Sequence, residues 1–498
     1  MGIHDGIGIA KLLIRFHRRM GGMALATNAG EARFVAYVES LTQALGHADR
    51  AQPLKDYCTG LLMPGERKSV EPMASVVAPS RVSAEHQSLL HFVGQARWSD
   101  EAVLDRVREL VAPAIEATGE AIKAWIVDDT GFAKKGVHSV GVARQYCGRL
   151  GKTDNCQIAV TLSIANHAAS LPIAWRLYLP QEWADDEERR KKAHVPEDVI
   201  FETKPQIALR QIKAAIEAGV RRGVVLADAA YGTNGAFRAA LRQLGLTYAV
   251  GVQSNLTVWS PGTEPLAPKE WSGRGRRPTR LRRDAEHAPV GVKELAKGLP
   301  ADAFREVTWR EGSNAALCSR FAAIRVRPAS EDFRRAQPHE VEWLLVEWPE
   351  GEGEPAKYWL STLPPDTPLS VLVDIAKLRW RIERDYEELK SELGLAHFEG
   401  RGWRGFPHHA TLCIAAYGFL IRERAAIPPS DAEGGKKPRL PDRPRPRGSP
   451  DPARATRRQL DCDSQTKAQR RPRQNPSQMP MLPDNQTKTA ASSTLMTQ

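Results

Sequence analysis

GVVLADAAYG, residues 223–232, decides the fold class. Val224, Val225, Leu226 and Ala227 form an unbroken apolar run bounded by Gly223 and Asp228. Such a run reads as a strand buried on both faces, the kind that parallel sheets contain. Helical periodicity flanks it. Ile207, Leu209, Ile212 and Ile216 predict a helix over 205–219, and a second is predicted over 237–244. Another strand-like run follows at 248–252. Upstream, residues 124–127, 158–164 and 171–179 also read as strands. Alternation of this kind implies an α/β fold, a sheet with covering helices.

The flanks differ in texture. Residues 1–30 carry little pattern; the apolar stretch 7–14 is interrupted by Lys11 and lacks the small-residue cleavage site of a signal peptide, and Met20 and Met23 are alternative starts. Residues 31–117 read as a helical domain: Phe34, Val35, Val38, Leu41 and Leu45 recur at helix spacing before Gly46, and a later helix opens at Ser99 with Asp100 and Glu101 in its first turn. Residues 118–254 form the first part of the α/β core. Residues 255–355 break the alternation, with Gly/Pro-rich turns, a basic stretch from Arg274 to Arg283 and short strand-like runs, and read as a β-rich insertion. Residues 356–424 return to the core with a strand at 358–362, one long helix over 369–393 and a last helix over 409–424. Residues 425–498 hold twelve of the 35 prolines, mixed with Arg, Gln, Ser and Thr. They bury too little apolar surface to offset chain entropy and are expected to be disordered.

A chain of 498 residues exceeds one ordinary core. Its 42% hydrophobic and 26% charged residues are ordinary for a soluble protein. The formal net charge of +12 suits an acidic partner such as nucleic acid, but does not by itself separate that reading from a basic enzyme of another kind. Six scattered cysteines without a C-x-x-C pair disfavour a zinc site or disulfide framework and fit a reducing cytoplasm. No apolar run approaches the ~20 residues that span a bilayer.

Candidate chemistry lies in three places. Asp129 and Asp228 each follow a predicted buried strand, where ligands of α/β sheets gather; an aspartate there can also be a turn former or helix cap. On the long helix, Arg379 and Glu383 are four residues apart, and Glu383 and Lys390 are seven apart on one face. A solvated charged face explains that spacing equally, and Glu387 and Glu388 compete for the acidic role. Three converging carboxylates would make a hard-oxygen site for Mg²⁺ or Mn²⁺. Two such ions about 3.5–4 Å apart can serve an in-line phosphoryl displacement.

The residues resemble bacterial insertion-sequence transposases of the DDE superfamily. DDTGFAKKGVHSVGVARQYCGRLGKTDNCQ (128–157) is similar to the block around the first aspartate, LADAAYG (226–232) to the second, and RWRIERDYEELKSELGL (379–395) to the third, with its Y-x2-R-x3-E-x6-K signature. YCTGLLMPGERKSVEPMA (57–74) matches an N-terminal block, so the resemblance covers about 30–424. It implies a ribonuclease-H-like mixed sheet flanked by helices. It assigns metal binding and catalysis to Asp129, Asp228 and Glu383; Asp129 is chosen over Asp128 because it precedes Thr130. Arg379 and Lys390 take the Arg and Lys places as phosphate contacts. The Tyr place falls on Ala376, a departure from the signature, and Tyr386 is the substitute. Arg67 and Lys68 are further candidate phosphate contacts, with a solvated loop as the alternative. Relatives can stack a tryptophan of the insertion on a flipped base; Trp259 holds that place, a core tryptophan being the competing reading.

The expected function is transposition of the protein's own element. The enzyme would bind terminal inverted repeats of double-stranded DNA, expose 3′-hydroxyl ends and join them to target DNA, with Mg²⁺ or Mn²⁺ as cofactor and a homodimer in the synapse. The rivals are a nuclease of the same core without strand transfer, a decayed DNA-binding relative, and a glycoside hydrolase. The cations around Glu383 speak against the last.

Overall fold

The computed structural model describes residues 27–311 and 316–426. The predicted tail therefore lies outside the described residues, apart from Ala425 and Ala426, which end the last helix; so does the N-terminal stretch before residue 27. Among the described residues twelve strands form one sheet: β1 (Ala124–Ala133), β2 (Ala143–Cys147), β3 (Lys152–Ala165), β4 (Ser170–Leu177), β5 (Val224–Ala227), β6 (Tyr248–Val252), β7 (Thr257–Trp259), β8 (Val290–Gly291), β9 (Arg305–Glu311), β10 (Ala316–Pro328), β11 (Glu342–Trp348) and β12 (Lys357–Ser361). Their order is β2-β3-β1-β5-β6-β12-β11-β10-β7-β8, with β4 also on β3 and β9 also on β10. β1 runs parallel to β5 and β5 to β6, while the other pairings are antiparallel. The fold is thus a mixed α/β sheet flanked by helices. β10 and β11 carry the sheet outward beyond β12.

Among the described residues five α-helices precede the sheet: α1 (Thr27–Thr42), α2 (Ala51–Leu62), α3 (Val70–Val77), α4 (Val82–Gly94) and α5 (Asp100–Glu116). Ser99 caps α5 as its sequence predicts, its hydroxyl accepting from the Ala102 amide at 3.1 Å. Within and after the sheet lie α6 (Lys204–Glu217), α7 (Gly235–Gln243), α8 (Leu369–Lys377), α9 (Trp380–Ser391) and α10 (Gly405–Ala426). α10 is apolar all round and buried along nearly its whole length, as such a helix must be. α1 and α2 close over it. Arg33 grips Glu423 with two bonds of 2.7 Å, the Tyr37 hydroxyl donates to the Ala415 carbonyl at 2.8 Å, and Phe34 packs edge-on to Phe419.

The two faces of the sheet carry different cores. Trp125 and Val127 of β1 join Val225, Ile207 and Phe237 in the large core on the α6, α7 and α10 side. Ala124 and Ile126 point the other way, onto Ile375, Leu378, Ile382 and Tyr386 of the α8–α9 segment.

Two expectations need correction. β1 does not stop at Val127: its ladder with β3 continues through Asp128 opposite Thr161 and Asp129 opposite Val160, so both aspartates sit inside the strand. The predicted helix over 369–393 is broken at Leu378 and Arg379, where the Arg381 amide bonds Leu378 and the Ile382 amide bonds Arg379 in tighter three-residue turns. By contrast, Asp228 stands where the sequence put it, one residue past β5.

A close approach fixes the segment after Asp228. The single helical turn Ala229–Gly232 lies against β6, and a Cβ on Gly232 would stand 2.0 Å from the Gly251 carbonyl oxygen and 2.8 Å from Val250 Cβ. Backbone cannot yield as a flexible side chain would. Gly232→Ala is therefore expected to destabilise the protein by on the order of 2 kcal/mol in denaturant unfolding. An unchanged midpoint would mean that the turn slides off β6 freely.

Candidate active site

Strand alternation separates the two neighbouring aspartates. Asp128 follows Ile126 onto the face covered by α9, and Asp129 follows Val127 onto the opposite face. Asp128 is buried. Its carboxylate accepts from Arg379 Nη1 at 2.8 Å and from the Asp129 amide at 2.8 Å. The other Arg379 nitrogen, Nη2, reaches Glu383 at 3.2 Å. The break between α8 and α9 thus sets one guanidinium between a buried carboxylate of β1 and an exposed one of α9. Burial pushes the Asp128 carboxyl up to about 7; Arg379 opposes that rise, and the charges of Asp228 and Asp129 add to it.

Asp228 arrives from β5. Its carboxylate caps the following turn, accepting from the Ala230 amide at 2.9 Å and the Tyr231 amide at 3.4 Å. Asp129 is held by Lys204 Nζ at 2.5 Å, from the first residue of α6. Lys390 donates to the Gly131 carbonyl at 2.9 Å and lies over the Phe132 ring, tying the far end of α9 to β1.

The remaining sequence candidates fall elsewhere. Tyr386 is buried beneath the site, its hydroxyl sharing a hydrogen bond with Thr161, so it packs α9 to the sheet and presents no surface to a phosphate. Lys68 is buried too, its ammonium on the Met63 carbonyl and its amide on His397 Nδ1 at 3.0 Å. Arg67 is exposed and pairs with Glu399. Trp259 is buried at the end of β7, with its Nε1 donating to Asp332 at 2.8 Å.

Three partners were missed by sequence reasoning. Lys204 offers a faint signal: a cation opening a helix opposes the helix dipole, and a carboxylate partner accounts for it. The Asp128–Arg379 pair spans 251 positions and has no local signature. Tyr231 stood in a quoted motif unremarked. Its hydroxyl is buried and has no hydrogen-bond partner among the described residues. Burial, then the charges of Asp129, Asp128 and Asp228, push its ionisation well up, so the phenol keeps its proton.

Among the described residues, no three His, Cys, Asp or Glu side chains are placed closely enough to hold one metal ion. By donor type alone, these carboxylate oxygens are of the kind that a hard divalent cation takes. They need positive charge, and Arg379 supplies that charge between Asp128 and Glu383. The orphaned Tyr231 hydroxyl marks a place for a further polar group.

Residues 40–316 match the family model described as DDE superfamily endonuclease. Over 191 residues the chain is 32% identical to the "Probable transposase for insertion sequence element IS701" of Microchaete diplosiphon; the match takes in 38% of this chain and 46% of that protein, so it spans under half of the relative's length. The structure is also similar, at a TM-score of 0.36 and 10% identity, to a piggyBac transposase in a synaptic complex with hairpin DNA, over 83% of this chain and 75% of that one.

The pairing at Arg379 makes a stability prediction. Arg379→Ala strands Asp128 without its counter-charge and should cost on the order of 3 kcal/mol in urea unfolding, whereas Asp128→Asn together with Arg379→Ala should cost less than the two single changes added. Additive losses would mean that the ion pair contributes nothing.

Proposed function

The chain belongs to the DDE superfamily endonucleases, and from that premise we propose that it is a transposase that cuts DNA at the ends of its own element and joins the freed 3′ ends to a target. The observation that carries this reading is the bridge that Arg379 makes between Asp128 of β1 and Glu383 of α9, with the charge of Asp228 at the end of β5 acting on the same guanidinium. The strand order β4-β3-β1-β5-β6, antiparallel then parallel about β1, supports a ribonuclease-H-like core.

In this proposal Asp228 and Glu383 act with one member of the Asp128–Asp129 pair. Asp129 is the residue that the resemblance assigns, and its carboxylate is the more exposed of the two. Asp128 is favoured by its position with Arg379, Glu383 and Asp228. These carboxylates would hold Mg²⁺ or Mn²⁺, which when bound supplies a Lewis acid for phosphoryl transfer and for the acidification of a water. Arg379 is the cation best placed to leave its carboxylates and hold a phosphate. Lys204, released from Asp129, is the second. The buried Tyr231 hydroxyl, which keeps its proton, would be a further donor. In the first step a water oxygen bonds to phosphorus and the P–O3′ bond breaks, leaving a 3′-hydroxyl. In the second, that hydroxyl oxygen bonds to a target phosphorus and displaces the target's own 3′ oxygen. Residues 31–117, with Arg67 exposed, are proposed to contact the element ends, and two copies to form the synapse.

The test is cleavage of DNA carrying the element's ends. The wild-type chain should cut with Mg²⁺ or Mn²⁺, stop with EDTA, and yield strand-joined products. Asp228→Ala and Glu383→Gln should bind but lose cutting by at least ~10³-fold. Of Asp128→Asn and Asp129→Asn, the variant that binds without cutting identifies the first carboxylate. Full cutting by Asp228→Ala would sink the site, and cutting without joined products would leave a plain nuclease.

A further inference from the structure

The basic stretch within the insertion plays no part in the site above. Residues 271–283, WSGRGRRPTRLRR, carry six arginines and no acidic residue. They form neither helix nor strand, and every residue from 271 to 280 is exposed. Arg274, Arg276, Arg277 and Arg280 have no ion pair among the described residues. Four unneutralised guanidinium groups within seven positions repel one another in the free chain, so the segment is built for a polyanion.

The base of this arm is held firmly. The Leu266 and Arg282 amides exchange bonds of 3.0 and 2.9 Å with each other's carbonyls. Leu281 is buried, and its amide donates to the Arg335 carbonyl at 3.0 Å. Arg283 pairs with the buried Asp332 at 2.5 Å and donates to the Ala329 carbonyl at 2.7 Å. Trp259 completes the clamp: its Nε1 holds the same Asp332, and Arg283 lies over its ring. The tip is kept narrow. Gly273 and Gly275 alternate with Arg274 and Arg276, both at positive φ (81° and 74°), and a Cβ at either would meet open space. Trp271 Nε1 closes the bend onto the Gly275 carbonyl at 3.1 Å. Pro278 then removes one backbone donor and stiffens the return.

We propose that this arm, residues 271–280, inserts Arg274, Arg276 and Arg277 into the minor groove of duplex DNA at an A·T-rich segment. The inference rests on the DNA-processing reading above. The minor groove is only ~6 Å wide, too narrow for a helix but open to a slender loop in which glycines alternate with arginines. A·T tracts narrow it further and deepen its negative potential, which draws arginine in, whereas the guanine amino group at G·C pairs projects into the arm's path. An anchored arm of this design loses less freedom on binding than a free tail.

The test uses the full chain and labelled short duplexes, one with a central A·T tract and one G·C throughout, followed by fluorescence anisotropy. The wild type should prefer the A·T duplex and be displaced by distamycin, a minor-groove ligand. Arg276→Ala with Arg277→Ala, both exposed and remote from the core, should weaken A·T binding by about tenfold and abolish the preference. Gly275→Val, which strains a positive-φ turn while leaving every charge in place, should weaken it as well. Unchanged affinity in these variants, or an equal loss on both duplexes with no effect of distamycin, overturns the proposal. If the variants match wild type while the chain still cuts element ends, the arm fails and the transposase reading survives. If the wild type binds neither duplex nor element ends, both fall.

Discussion

The ion pair between Arg379 and Asp128 is the contact on which the rest of this molecule turns. Asp128 lies in the strand that joins the antiparallel and parallel halves of the sheet, on a face otherwise lined by Ala124, Ile126, Leu226 and Tyr386. A carboxylate there costs several kcal/mol to ionise without a partner. The partner comes from the break between α8 and α9, and the same guanidinium reaches Glu383. One residue thereby docks α9 on the sheet, sets the register of its exposed carboxylate relative to β1, and holds the charge that a cation or phosphate would otherwise balance. Lys390, seven residues beyond Glu383, docks α9 on β1 a second time through the Gly131 carbonyl.

That docking depends in turn on what covers the other face. α10 cannot face water on any side, and the helices that hide it come from the opposite end of the described chain. Arg33 on Glu423, Tyr37 on the Ala415 carbonyl and Tyr57 on His409 at 2.8 Å are pairings of high sequence separation. The N-terminal helices and the sheet therefore share one core, and a substitution in α10 is felt by both.

The sequence was most legible where local chemistry and tertiary environment agreed. The run at Val224–Ala227 bounded by Gly223 and Asp228 could be little but a buried strand, and Asp228 was placed from it correctly. Ser99 with two acids in the following turn marked a helix start for the same reason. Legibility failed where long-range pairing overrode local signals. Asp128-Asp129-Thr130-Gly131 reads as a strand end, yet the ladder with β3 carries β1 through it. The helix break at Leu378–Arg379 contains neither glycine nor proline, so nothing local announces it. Tyr386 and Lys68 suggested phosphate contacts because their residue types suit nucleic acid; their burial is a property of the packed fold alone, while Trp259 takes the core place that was its competing reading.

The positive charge of the chain is distributed with a distinction that composition cannot reveal. Around the carboxylates, each cation is already engaged: Arg379 by Asp128 and Glu383, Lys204 by Asp129, Lys390 by a carbonyl. On the arm of residues 271–280 the guanidinium groups face solvent, with no acid paired to them among the described residues. A phosphate entering the first region must compete with an existing carboxylate, so binding there is selective and is coupled to whatever cation replaces the freed arginine or lysine. A duplex meeting the second region displaces only water and counterions, so that contact forms readily and weakens steeply with salt. The positive charge is therefore of two kinds, engaged by counter-charges around the carboxylates and facing solvent on the arm, whose base Trp259 and Arg283 hold through the buried Asp332.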